Sequence, residues 1–324
     1  MALGRQHQND AAFCRIGRSE LIDAYNKDCK VLKLEFSEWL ASATLWTTVQ
    51  LADDGPVSWY RIETRYSQSM VVGWIEQAKW ENSPFGRNQL VDHIHPYLFR
   101  IRQSGQSAVL IWEDQWLYNS WIIQSRILAL MGISHRVPAR LTKARRIDKA
   151  MARKFLEDHH LQGSTVSKYQ FGLFLPESYF RVLPDNWKDL TSGLSELILA
   201  VATFSHVRVF NRANKPHRSF ELIRFANLME FTIVGGLGKL LKAFQRDVGC
   251  DDIMTYADLD WSDGKSYLAL GFEPHAQTPP MAFDLVPESG KRRLRLADNT
   301  DTKGEVEEEG VVWNAGSLKL VKSC

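Results

Sequence analysis

No run of about 18 apolar residues occurs in this 324-residue chain, so nothing in it reads as a membrane-spanning helix. The opening MALGRQHQNDAAF has no apolar core and does not read as a secretory signal. Cysteine is scarce: the four copies (Cys14, Cys29, Cys250 and Cys324) are scattered, with no C-x-x-C pair. That spacing argues against a structural zinc site and a disulfide framework, and it implies a reduced, cytoplasmic setting. An excess of one charge is missing too, since 40 Lys and Arg oppose 38 Asp and Glu for a formal net charge of +2. No global basic field announces a nucleic-acid partner, which leaves only a local basic patch open.

What is present fits a two-domain globular protein. Hydrophobic content of 44% and charged content of 24% are ordinary for a soluble chain. Eleven tryptophans are many for this length, and aromatics in such number mostly build core, with a minority left to stack on a ligand. Residues 31–66 alternate apolar and polar in short bursts (VLKLEFSEWL, LWTTVQL, VSWYRIETRY), and the turn signal at Asp53–Pro56 predicts a hairpin or meander. QSMVVGWIEQAKW reads as a strand running into a helix. NQLVDHIHPYLFRIRQSG reads as a helix to Gly105, with Leu90, Ile94, Leu98 and Ile101 on one face. AVLIWEDQW predicts a short buried strand, and NSWIIQSRILALMG a helix capped by Asn119 or Ser120 and stopped by Gly132.

SHRVPARLTKARRID carries a proline, a basic cluster and no apolar period, which predicts an interdomain segment. Its Arg136, Arg140, Lys143, Arg145 and Arg146 either meet phosphates or form a solvated linker. The division therefore falls between domains 1–134 and 135–324. Beyond it, DKAMARKFLEDHHLQG predicts a helix from an Asp148 N-cap to a Gly163 stop. SKYQFGLFLPE, SELILAVATFSHV and FELIRFANLM read as strands, VGGLGKLLKAFQRDVG as a helix, DDIMTYADLDW as a strand and GKSYLALGF as a short helix. After the acidic loop TDTKGEVEEEG, VVWNAGSLKLV closes as a strand. The expected class is α/β or α+β around a central mixed sheet.

Three glycines fall within four residues in FTIVGGLGKLLKAFQRDVG, Phe231–Gly249. They either bring backbone close to a ligand at a helix N-terminus or simply turn a tight corner. Strand, glycine turn, helix, strand and then SYLALGF in that order resemble the GNAT acyltransferases. There a Q/R-x-x-G-x-G/A turn after the fourth strand binds the pyrophosphate of acyl-coenzyme A. The resemblance implies acyl-CoA as co-substrate, held by Val234, Gly235, Gly236, Leu237, Gly238 and Lys239. Ile233 stands where that family carries Gln or Arg. Tyr267, four residues before Gly271, matches the family's tyrosine near the acyl sulfur and would protonate the leaving thiolate. Glu221 on the preceding strand is then the general-base candidate, with Arg224 beside it for substrate. Asp258 at the end of the next strand would orient the substrate amine or cap the turn that follows.

A second resemblance covers most of the chain. LIWEDQWLYNSWIIQSRILALMG, FLEDHHLQG, ELIRFAN, YADLDWSDG and WNAGSLKL look like segments of phage Hef-like homing endonucleases, whose nuclease half resembles Vsr endonucleases and whose second half is GNAT-like. HHLQG also resembles the H-Y-S-G segment of phage DNA-modifying transferases, which would turn His159 and His160 toward the acceptor. The nuclease half is expected to be degenerate. Glu76 and Lys79 are spaced one residue too far for one strand face, and Asp92, His93 and His95 do not share a helix face. Glu63, Glu113 and Asp114 complete the acidic candidates, and no metal is expected. The leading expectation is acyl or aminoacyl transfer from a thioester or tRNA ester to an amine, with DNA or tRNA as an open partner. The other class is a mobile-element DNA-binding protein or endonuclease whose second domain assists recognition.

Overall fold

The computed structural model describes residues 29–82, 90–286, 290–295 and 311–324. Cys14, the opening MALGRQHQNDAAF, the first two residues of NQLVDHIHPYLFR and the acidic loop TDTKGEVEEEG lie outside them. The chain forms a mixed α/β structure. No described helix is long and apolar enough to cross a membrane.

The first described element corrects the sequence reading. VLKLEFSEWL is not strand but the body of α1 (Cys29–Ser42). Phe36 and Leu40, one helical turn apart, are both fully buried, and Leu32, Trp39 and Ala43 pack beside them. That is a helical stripe, and local alternation loses to it because the aromatic core supplies the contacts. Phe36 stacks on Trp74 at 4.6 Å and meets Trp116 edge-on at 5.0 Å.

The predicted hairpin is present as β1 (Trp46–Asp54) and β2 (Val57–Thr64), turning at Gly55. β3 (Ser69–Ile75) completes the meander and runs into α2 (Gln77–Glu81). A π-helical turn (Leu90–Ile94) and α3 (His95–Gln103) then cross over to β4 (Ser107–Trp112), which lies parallel to β3. Gly73 sits where a Cβ would fall 2.7 Å from both Leu110 Cδ2 and Trp59 Cζ3, so no larger residue fits.

α4 (Glu113–Leu130) starts directly at the end of β4, with Trp112 as its N-cap, well ahead of the predicted caps. Asn119 is a non-helical kink inside it rather than its beginning (φ −145°, ψ 33°). Glu113 and Asp114 in the first turn suit the helix dipole, which a scan for Ser or Asn caps overlooks.

The expected linker is also ordered structure. β5 (His135–Pro138) pairs in parallel with β11 (Phe231–Val234), and β6 (Lys143–Arg146) pairs with β7 (Tyr169–Pro176). Arg145 is occupied by Glu196 and lies over the Phe174 ring at 3.5 Å, and Arg146 lies over Tyr169 and Phe171. A strand this short shows no period, because pairing rather than its own apolar face holds it.

α5 (Lys149–His159) begins at Asp148, whose Oδ1 accepts the Met151 N–H at 2.8 Å. The remaining strands are β8 (Glu196–Phe204), β9 (Arg208–Arg212), β10 (Lys215–Asn227), β12 (Asp252–Asp258), β13 (Glu273–Gln277) and β17 (Ser317–Ser323). They form one sheet in the order β13-β17-β12-β10-β8-β7-β6, with β9 attached to β10. Among its described strands, the only parallel neighbours are β10 and β12.

α6 (Gly236–Val248) covers this sheet through Leu237, Leu240, Leu241 and Phe244, one helical face. Phe244 stacks on Phe204 at 4.0 Å and meets Phe220 and Phe171 edge-on. Burying each such ring contributes about 1.5–3 kcal/mol. A short helix α7 (Lys265–Leu268) precedes β13.

VVWNAGSLKLV is two strands rather than one. β16 (Val311–Trp313) joins β14 (Ala282–Val286) and β15 (Lys291–Leu294) in a small sheet, and the chain turns at 314–316 into β17. This small sheet packs on the first unit: Val312, Phe283 and Leu285 share a core with Trp59, Ile75 and Trp112. Cys250 and Cys324 form a disulfide, contrary to the expectation from spacing. Strand pairing makes it: Asp252 faces Ser323 across β12 and β17, a juxtaposition invisible in sequence separation.

Candidate functional site

β10 and β12 pair only over Ser219–Glu221 against Asp252–Met254, and then separate. At the point of parting, the Thr255 hydroxyl donates to the Leu222 carbonyl at 3.0 Å, bridging the gap with a side chain. Beyond it the sheet opens between the C-terminal halves of two parallel strands. Such an opening exposes backbone and side chains to a ligand at the strands' carboxyl ends.

The glycine turn answers to both expectations. Gly235 is left-handed (φ 78°), and a Cβ on Gly236 would sit 3.0 Å from Ile233 Cβ and 3.3 Å from Leu173 Cδ1. These two glycines are required by the corner alone. Yet α6 has no side-chain cap, and the N–H groups of Gly236, Leu237 and Gly238 find no acceptor among the described residues. They are free donors at a helix N-terminus. Val234 is exposed and Leu237 buried. Lys239 turns away from this face: its Nζ donates to the carbonyls of Ala139, at 2.9 Å, and Thr142. It ties α6 to the turn after β5.

At the opening, side chains from five segments converge. Tyr267 from α7 lies against the Thr255 hydroxyl. Burial raises its pKa, while that hydrogen bond and the Arg126 guanidinium act in the opposite direction. Burial also raises Asp258, against the Asp260 N–H (3.0 Å to Oδ1) and the positive charges of Arg292, Arg126 and Arg102. The other Asp258 oxygen accepts from Gln162 Nε2 at 3.3 Å. Its backbone carbonyl accepts from Trp261 and Ser262, so side chain and main chain together close the turn that follows. Asp260, more deeply enclosed, is raised further by burial and by Asp258, while the Ala315 N–H and Arg292 oppose it.

His160 is held well below its ordinary pKa, by burial first and then by Arg224 and Arg126. Its Nδ1 accepts the Gln162 N–H at 3.1 Å, so the neutral ring carries its proton on Nε2 and is a donor there. Arg224 donates to the carbonyls of Ile223 (3.0 Å) and Gly163 (3.4 Å).

Tyr267, Asp258, His160 and Arg224 are therefore linked through the charges of Arg126 and Arg224. Glu221 sits on the closed, paired part of β10 and reaches the group only through the charge of Arg224. His159 turns onto Phe155 at 4.5 Å instead. Arg126 and Thr255 also belong to the group, and neither shows in the sequence reading. A charged residue set inside a largely apolar helix, as Arg126 is in WIIQSRILAL, is the one signal that points to the first.

No family model matches the chain, and no curated protein does. Among solved structures it is similar to the histone acetyltransferase HPA2 and related acetyltransferase from Corynebacterium glutamicum, at 12% identity and TM-score 0.30 over 56% of this chain and 96% of that one. It is also similar to a mutant AtaT toxin bound to the C-terminus of the antitoxin AtaR and acetyl-CoA, at 16% identity and TM-score 0.25 over 42% and 87%. A third is the KacTA–DNA complex, at 18% identity and TM-score 0.26 over 42% and 86%. Likenesses this distant fix neither a ligand nor an activity for this chain.

In the first unit the nuclease candidates are dispersed or occupied. Glu76 is buried between Lys33 and Lys79, at 2.8 and 2.9 Å. Glu113 accepts the Gln77 N–H at 2.9 Å, and Asp114 is paired with Arg292. Glu63, Asp92 and His93 are exposed, whereas His95 points inward. Among the described residues no group of three His, Cys, Asp or Glu gathers as metal ligands.

Proposed function

We propose that this chain is a GNAT-type N-acyltransferase that moves an acyl or aminoacyl group from a thioester, or from a tRNA ester, to an amine. One observation carries the reading: the parallel pair β10 and β12 opens beside a half-buried tyrosine and carboxylate, and the free helix N–H donors lie close to the same segment, where a Cβ on Gly238 would meet Leu270 Cδ2 at 3.2 Å. The N–H groups of Gly236 to Gly238 suit the donor's phosphates. At the opening the amine nitrogen attacks the donor carbonyl carbon. A C–N bond forms as the C–S bond (or, in a tRNA ester, the C–O bond) breaks. Tyr267, protonated at neutral pH with its pKa raised further by burial, gives its proton to the leaving sulfur or oxygen. Asp258, whose raised pKa suits proton uptake, receives the proton lost by the amine. Both Asp258 and Tyr267 lie within reach of the Arg126 charge, and Asp258 takes the base role in preference to Glu221.

A nucleic-acid acceptor is the favoured class of substrate. β9 is exposed along its length and forms a ribbon with the start of β10. On that ribbon Arg212 stands directly opposite Lys215, and Phe210 and Val209 are exposed. Like charges facing each other across a hairpin are destabilising, and a polyanion relieves them. The first unit, whose sequence resembles Vsr endonucleases, serves in this reading as a scaffold rather than a nuclease.

Calorimetric titration with acetyl-coenzyme A tests the donor site, with saturable binding expected. No binding at millimolar concentration, alongside retained binding of DNA or tRNA at moderate salt, would leave the recognition-module reading in its place.

A further inference from the structure

Among the described residues, Arg126 is a half-buried arginine at the opening that makes no direct polar contact and meets opposite charge only at longer range, from Asp258 and Tyr267. It comes from α4 of the first unit, and its guanidinium lies 4.4 Å above the ring of the buried Trp261. It makes no hydrogen bond and no ion pair with any described residue. Its neighbours of the same type are engaged. Arg102 donates to the carbonyls of Ala108, Leu259 and Asp260, and Arg292 grips Asp114 with two bonds of 2.8 and 2.7 Å. Arg145 holds Glu196. Asp258, the carboxylate whose charge reaches Arg126, accepts from the Asp260 N–H and from Gln162 and makes no direct bond to that guanidinium. A guanidinium resting over an indole keeps its N–H edge free for a further acceptor. A half-buried guanidinium held over an indole, with its N–H edge unbonded, is placed to take a partner that arrives with the substrate.

We propose that Arg126, with the free edge of Arg224 and the Nε2–H of His160, receives an oxyanion (a carboxylate or a phosphate) of the molecule that reacts beside Tyr267. The fork geometry of arginine matches both groups. The first unit thus completes the site of the second and selects negatively charged substrates. The inference rests on the acyl-transfer reading for what else occupies the opening, and the oxyanion has two sources there. It belongs to a dicarboxylic acyl group on the donor, or to a phosphate of the acceptor.

The test is a set of titrations on the full-length protein and on Arg126→Gln and Arg126→Lys. Acetyl-coenzyme A and succinyl-coenzyme A compare the donor arm, and adenosine 5′-monophosphate and inorganic phosphate probe the acceptor arm. If the donor supplies the oxyanion, succinyl-coenzyme A binds the wild type more tightly than acetyl-coenzyme A, and Arg126→Gln removes about 10–100-fold of its affinity. If the acceptor supplies it, the same loss falls on the nucleotide while both thioesters are unaffected. Arg126→Lys, which keeps the charge but loses the fork, falls between. Equal binding of all four probes by wild type and Arg126→Gln overturns the proposal, provided the variant melts at the wild-type temperature. Should that variant unfold, Arg126→Lys and Arg224→Gln carry the same comparison. Failure of both thioesters to bind the wild type would reject the donor reading alone, since the nucleotide arm still reports on Arg126.

Discussion

Tyr267 and His95 show how burial turns an ordinary side chain into a distinctive one. Tyr267 is a donor at neutral pH, as any tyrosine is, and burial raises its pKa further, so Tyr267→Phe removes the hydroxyl donor and little volume. We expect the transfer rate to fall about 100-fold while acetyl-coenzyme A affinity is kept. An unchanged rate would remove the tyrosine from the chemistry. His95, packed in α3 beside Arg102, has its pKa lowered to about 4 by burial first and by that arginine second. A folded-state pKa below the unfolded value near 6.5 stabilises the fold above pH 6.5, and the benefit is lost as pH falls toward 4. The shift corresponds to about 3 kcal/mol. Urea unfolding of wild type and His95→Leu between pH 7 and pH 4 should show that share of the acid destabilisation vanish in the variant. Parallel pH profiles would contradict a buried neutral imidazole.

Elements with a strong period or a clear cap are readable from sequence, and those held by partners are not. Asp148 as a cap, the alternation of β2, the apolar run of β8 and the Leu237–Phe244 face of α6 carry their own signals. β5 and β6 carry none, because pairing with distant strands defines them, whereas the break between β16 and β17 is marked by Asn314 and the left-handed Gly316. The site follows the same rule. Tyr267, Asp258, His160 and Arg224 are polar residues in or at the ends of predicted elements, whereas Arg126 enters only through the packing of one unit on the other. The Cys250–Cys324 bond is the sharpest case: it closes a separation of 74 residues that sequence spacing gives no reason to close. A loop of that length corresponds to about 4 kcal/mol of unfolded-state restriction as an upper value. Wild type should therefore melt lower with dithiothreitol, and Cys324→Ser should melt low with or without it. Thiol counting on the denatured protein should find at least two more thiols after reduction than before it, and an unchanged count would remove the bond.

At the scale of the whole molecule, Arg102 decides whether the two units behave as one. The first unit lends Arg126 to the opening and receives the small β14–β16 sheet in return, so their relative placement is part of the site. Arg102, from α3, bridges the seam: 2.7 Å to the Ala108 carbonyl on its own side, 2.7 Å to Leu259 and 3.3 Å to Asp260 on the other. The Leu110 N–H adds a main-chain bond of 2.8 Å to Asp260, and Trp261 is buried within the first unit's aromatic core. Arg102→Ala strips buried carbonyls of their donor and opens a hole between the units. The expected cost is about 3 kcal/mol or more. Wild type should unfold in one cooperative transition, and the variant should melt lower and separate into two, as weakly coupled domains do. Because Trp261 sits both in that core and under Arg126, the variant should also bind succinyl-coenzyme A or the nucleotide more weakly, whichever Arg126 holds. A variant that melts in a single transition at the wild-type temperature, with that affinity intact, would mean the seam is held elsewhere and Arg126 is placed by α4 alone.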